Sequence, residues 1–109
     1  MNPRISKYFD DILTCTLQIK EFMHDISDFN EFTNNIMLKK AIERNLEIIG
    51  EAMNTILKIE PNIQIRNSRK IVEVRNRLIH DYDNIDDVII WGIVMKYLDE
   101  LLEDIRKYI

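Results

Sequence analysis

The chain is short of the residues that break or staple a fold. Its 109 residues include two glycines (Gly50, Gly92), two prolines (Pro3, Pro61) and one cysteine, Cys15. A many-stranded β protein needs turn residues every ~8–12 positions, so this scarcity excludes one. A lone cysteine excludes an internal disulfide framework. No stretch approaches the ~18 apolar residues of a membrane-spanning helix. The N-terminus, MNPRISKYFDD, carries charges where a signal peptide needs an apolar run, so a reducing cytoplasm is the expected home. Phosphate-binding GxxxxGK[ST], a GxSxG elbow and an HExxH pair are all missing. Cys15, His24 and His80 cannot form a zinc site without carboxylates from distant positions. No metal and no cofactor are expected.

What is present is a globular balance of 46% hydrophobic and 31% charged residues. One domain over residues 1–109 is expected, burying roughly 65% of the surface of the unfolded chain. The net charge is −4, but the window Gln64–His80 holds Arg66, Arg69, Lys70, Arg75 and Arg77 against Glu73 alone. That window is +4 and the remainder −8. An acidic chain with one basic segment points to a localised anion site rather than a broad binding face.

Helical periodicity runs through the sequence. Asn2-Pro3 places a cap and a first-turn proline ahead of a stripe Ile5, Tyr8, Ile12, Cys15, Ile19, Phe22 and Ile26, which predicts a helix of about 25 residues. Asp28 and Glu31 form a capping-box pattern that opens either a short turn or the second helix directly. Leu38, Ile42, Leu46, Ile49, Met53 and Ile56 mark a helix from Ile36 to Ile59, with Gly50 inside it to let another helix come close. Residues 60–67 read as a connector. Asn67 or Ser68 caps a third helix with Ile71, Val74 and Leu78 inward and Glu73, Asn76, Arg77 and His80 on a polar face. Asn84 is then expected to cap a fourth helix whose stripe is Trp91, Val94, Leu98, Leu101, Ile105 and Tyr108, with Asp86 and Asp87 in its first turn. The acidic run at 81–87 lacks the glycine and closing glutamate of a calcium loop, so a solvated helix start explains it. The sum is an all-α, up-and-down bundle of four main helices.

One segment carries chemistry. Arg75, Asn76, Arg77, His80 and Tyr82 fall within eight residues. Arginine presents fork-shaped donors that match a phosphate, and histidine, with an unperturbed pKa near ~6.5, exchanges protons at neutral pH. Such a pair can cleave RNA without a metal: histidine works as base or acid around the 2′-hydroxyl, arginine steadies the phosphate, and a 2′,3′-cyclic phosphate and a 5′-hydroxyl result. Arg75 and His80 are five residues apart, about 140° around an ideal helix, so convergence needs the helix to end near His80 or a second chain to contribute. Taken as residues alone, a polar helix face of this kind is ordinarily just solvated.

The string Arg75-Asn76-Arg77-Leu78-Ile79-His80-Asp81-Tyr82 resembles the R-x4-H-x-Y motif of HEPN-domain proteins of the HepT type. The stretch Ala41-Ile42-Glu43-Arg44-Asn45-Leu46-Glu47-Ile48-Ile49-Gly50-Glu51-Ala52 is similar to that family's A-I-x-R-x-L-E-x-I-G-E-A, and Asn84-Ile85-Asp86 followed by Trp91 matches the segment after the motif. The likeness spans nearly the whole chain. It departs where the family often has a Trp before the third helix and this chain has Asn67-Ser68-Arg69-Lys70. The resemblance implies a dimerising helical bundle that is the ribonuclease toxin of a type VII toxin–antitoxin pair, with a minimal nucleotidyltransferase, MntA, as antitoxin. It also implies that Arg75 binds phosphate, that His80 is the acid or base and that Asn76 assists. Tyr82 then matches the tyrosine to which the antitoxin adds AMP. Arg77, Arg69 and Lys70 are expected to bind RNA phosphates.

Arg44, Glu47 and Glu51 are expected either to pair along one helix or to stand beside the cleft or a dimer interface. His24 reads as a surface residue, Cys15 as core, and Trp91 as core or interface. A non-catalytic HEPN partner of a nucleotidyltransferase is the alternative function, and a siteless helical dimerisation domain a third.

Overall fold

The structure, a computed structural model, describes residues 2–80 and 85–109. Among these residues every regular element is helical. They run α1 (Pro3–Phe22), α2 (Phe29–Thr33), α3 (Ile36–Ile59), α4 (Ser68–His80), α5 (Asp87–Gly92), a π-helical stretch (Ile93–Tyr97) and α6 (Leu98–Ile105). The last three follow one another without a break, as one rod.

Local chemistry sets the ends. The Asn2 side chain accepts from the Arg4 amide, with Pro3 in the first turn. α1 then stops at Phe22, short of the expected 25 residues, and Met23 is its C-cap. Ile26 therefore lies beyond the helix, although it still packs on the core. The inward row also shifts: Phe9 is buried where Tyr8 was expected, and Phe22 is exposed. Asp28 accepts from the Glu31 amide, while the Glu31 carboxylate takes the Ser27 amide, which closes α2 as a single short turn. α3 matches its expected limits, and all six residues of its stripe are buried.

Asn67 has φ 62, a left-handed conformation that asparagine tolerates, and its carbonyl accepts from Ile71 as α4 begins. The rod begins differently from the expectation. Asp86 is its N-cap, accepting from the Val88 amide, so Asn84 is not the cap. Asn84 itself lies outside the described residues.

The rod also departs from the expected stripe. Ile90 and Ile93 are buried, and Trp91 and Val94 only partly so, whereas Leu98, Leu101 and Ile105 are buried as expected. The π turn explains the mismatch. Ile93 and Leu98 are five apart, a spacing that an α-helix would put about 140° apart and a wider turn brings to one side.

α3 is the central helix: α1 packs along it on one side and α4 on the other, and α6 returns against α1. Buried Asn45 on α3 donates to the Cys15 carbonyl (3.3 Å) and to Gln18 (3.0 Å), locking α3 to α1. Trp91 meets Phe29 edge-on and Phe32 at a tilt, which fastens α2 to the rod. Buried Asp104 accepts from the Arg66 backbone and guanidinium, tying the 60–67 connector to α6. Those hydrogen bonds hold the Asp104 carboxyl below its ordinary range. As expected, Cys15 is buried and His24 exposed, and burial pushes the Cys15 thiol up.

Candidate active site

α4 can lie close against α3 because residue 50 is glycine. A Cβ at Gly50 would overlap the Cβ of Arg75 and sit 3.2 Å from the Ile71 carbonyl oxygen. This is the close approach expected of Gly50, and Arg75 is the residue it seats. The Arg75 side chain is 22% exposed. Its Nη2 donates to Glu51, the residue after Gly50, and its Nη1 donates to Asn76 Oδ1 at 2.8 Å. Its Nε is buried and, among the described residues, has no hydrogen-bond partner. Glu51 thus reaches across to α4 instead of completing a ladder along α3, where only Arg44 and Glu47 pair, at 3.1 Å.

Around Arg75 lies an open groove of about 320 Å³, with Lys7, Tyr8 and Asp11 of α1 on one wall and Arg44, Glu47 and Glu51 of α3 on the other. Ile79 and Ile48 line its apolar part. A shallower depression beyond it brings Glu43 and Glu47 beside Leu78 and Ile79 at the end of α4. Burial pushes the Glu43 carboxyl above its usual range, with Asp87 and Glu47 adding to the shift and Lys40 and Lys39 opposing it.

His80 is the last residue of α4 and is exposed. α4 remains α-helical through it, so the 140° separation from Arg75 persists and no hydrogen bond joins the two. Asn76 is exposed, shares the His80 side of the helix and touches Arg75, so it bridges the two directions. Arg69 is exposed on that same row at helical spacing. Lys70 and Arg77 face the other way, into a second groove against the rod. The expected phosphate binders are therefore split between two faces of one helix. Tyr82 lies outside the described residues.

Three residues beside these sites carried little signal in sequence. Glu51 matched both an intrahelical ladder and a cleft residue, and only the approach at Gly50 decides between them. Lys96 and Tyr97 join Lys70 and Arg77 in the second groove, with Tyr97 lying 27 residues from Lys70, a meeting that no local spacing reveals. Among the described residues, no helix is long and apolar enough to cross a membrane.

The chain is similar to proteins already described. The Ribonuclease HepT-like family model matches residues 12–108. A "Putative RNase" of Methanocaldococcus jannaschii is 36% identical over 106 residues, covering 94% of both chains. The "Probable ribonuclease HepT" of Thermococcus cleftensis is 32% identical over 107 residues, covering 92% of this chain and 94% of its own. No solved structure matches. The all-helical fold, the arginine seated on Gly50 and this match across nearly the full length agree: the chain belongs to the HepT-like ribonuclease family.

Proposed function

We propose that this chain is a metal-independent RNA endonuclease, the toxin of a type VII toxin–antitoxin pair. The observation that carries the reading is Arg75, held half-buried against α3 where it lines a groove, on the same helix as an exposed histidine. Arg75 binds the scissile phosphate and steadies the charge that builds on it. His80 serves as acid or base around the 2′-hydroxyl. The 2′-oxygen attacks phosphorus, the bond to the 5′-oxygen breaks, and the products are a 2′,3′-cyclic phosphate and a 5′-hydroxyl.

The 140° between Arg75 and His80 makes a homodimer part of this reading: arginine and histidine of two chains meet in one cleft. Silencing follows by charge and bulk. AMP added to Tyr82 by a minimal nucleotidyltransferase antitoxin places a phosphate and a nucleotide two residues from His80, where they repel and exclude RNA.

The assay uses the purified chain, its Tyr82 shown unmodified by intact mass, with RNA and EDTA. Cleavage to cyclic-phosphate ends that His80→Ala abolishes is the expected result. Full activity in both His80→Ala and Arg75→Ala would sink the site assignment.

One observation favours a second reading. Glu51 already occupies part of the Arg75 guanidinium, which weakens it as an anion site. A non-catalytic HEPN partner of a nucleotidyltransferase would bind nucleotide or partner saturably through the same segment and cleave nothing.

A further inference from the structure

Packing requires only one of the two glycines. Gly92 has φ −60 and ψ −41, a helical conformation open to any residue, and a Cβ there would meet nothing within 4 Å. A glycine inside a helix costs ~1 kcal/mol relative to alanine. Nothing in the described chain calls for it. It lines an open groove of about 330 Å³ between α4 and the rod.

The lining of that groove is specific. Buried Val74 and Ile93 form an apolar floor, and Lys70, Arg77 and Lys96 stand around it with one acid, Glu73. Lys70 Nζ lies 3.2 Å from the Tyr97 hydroxyl and 4.9 Å from the ring centre, and Lys96 Nζ lies 5.8 Å from the same ring. Among the described residues none of these three cations has a carboxylate partner, whereas most other cations of the chain do. On a chain of net charge −4, a cluster of cations that pair with no carboxylate among the described residues, set around an apolar floor, fits an anionic ligand with a flat apolar part.

We propose that this groove is a second nucleotide subsite, which takes an unpaired nucleotide of single-stranded RNA. The base lies on Val74 and Ile93 beside the Tyr97 ring, and the flanking phosphates rest on Lys70 and Lys96. This rests on the ribonuclease reading above. Helix geometry supplies the route. Arg75 and Arg77 are about 200° apart around α4, and the solvent-facing arc between them carries Asn76 and His80. Around a helix ~10 Å across, that arc is ~17 Å, a span of a few nucleotides. A strand anchored at Arg75 crosses His80 and reaches the groove. Gly92 leaves room for the base.

The test uses the His80→Ala chain in EDTA with a labelled single-stranded RNA of about a dozen nucleotides. Leucine at position 92 projects into open groove and improves helix propensity, so Gly92→Leu should keep or raise the thermal midpoint while weakening binding at least about tenfold. Lys70→Gln with Lys96→Gln should weaken it too, and the slope of log affinity against log salt should fall by about 1.4, or ~0.7 per phosphate contact. A duplex of the same sequence should compete poorly.

Unchanged affinity in Gly92→Leu, with Arg75→Ala still weakening it, would overturn the subsite and leave the ribonuclease reading standing. A change in particle mass on Gly92→Leu, seen by light scattering, would overturn it as well, by assigning the groove to contact with a second copy. No cleavage by the unsubstituted chain and no binding by His80→Ala, with any RNA offered, would bring down the ribonuclease reading and the subsite with it.

Discussion

Against α3, helix α4 comes down onto Gly50 until no room is left for a methyl group; against the rod it stays apart, and Gly92 faces open space. The charges follow the same division. Arg75, on the closed side, is gripped by Glu51 and Asn76. Lys70 and Lys96, on the open side, lean on an aromatic ring and on no carboxylate among the described residues. A cation fixed in advance orients a reacting phosphate, because its geometry is set before the ligand arrives. Cations left uncommitted attract and adapt. One helix thus carries a rigid half and a permissive half.

The largest expected effects break the closed side. His80→Ala and Arg75→Ala should each lower cleavage at least about a hundredfold, read as initial rates in EDTA. Gly50→Ala forces a Cβ into Arg75 and should destabilise by about 2 kcal/mol, a fall of roughly 10 °C in Tm, with cleavage reduced even at low temperature. A normal Tm and full activity would show that α4 does not depend on that contact.

Asp104→Asn touches neither face and serves as a control. It replaces one of the two oxygens that accept from Arg66 with an amide donor, removes the charge, and should cost about 1–2 kcal/mol with the cleavage rate unchanged. Because the folded carboxyl sits below its ordinary range of ~3.9, its contribution is present above that value and is lost as pH falls through the lower folded value. Tm measured from pH 6 to pH 3 should fall less steeply in Asp104→Asn.

Glu51→Gln keeps a hydrogen-bonding oxygen but loses the charge that competes with RNA. KM should fall a few-fold with kcat nearly unchanged, whereas Glu51→Ala should lower kcat by loosening Arg75. Equal kinetics in the two variants would show that Glu51 does not position Arg75. The smallest effect belongs to Gly92→Ala, a gain of about 0.5 kcal/mol or a little more, opposite in sign to Gly50→Ala. If both glycines lost stability on substitution, the contrast between the faces would fail.

Much of the bundle was legible because burial leaves a periodic trace. α3 could be read to its ends from a six-residue stripe, and the capping residues Asn2 and Asp28 act as their chemistry implies. The errors have physical causes. Tyr8 and Phe9 are adjacent aromatics, and tertiary packing chooses between them. α1 ends without glycine or proline to announce it, and the apolar spacing runs on to Ile26. The rod's stripe failed because strict three-and-four spacing presumes 3.6 residues per turn, which Ile93–Tyr97 do not keep. In the candidate site, Arg75, Asn76 and His80 could be picked out through proximity and resemblance. The partition of Arg77 and Lys70 from Arg75 was implicit in their spacing, but the walls they face come from other helices.

That wide turn has a further consequence. It works as a phase shifter between the two halves of the rod. Downstream, Leu98, Leu101 and Ile105 keep an unbroken apolar row. Upstream, Ile90 and Ile93 stay inward while Gly92 and Lys96 are aimed at α4's open side. Were the same residues Ile93–Tyr97 wound as an ordinary helix, one half would be rotated by about 100° against the other. Either the core or the groove would then be out of step, so the chain's least regular turn is what allows both to exist on a single rod.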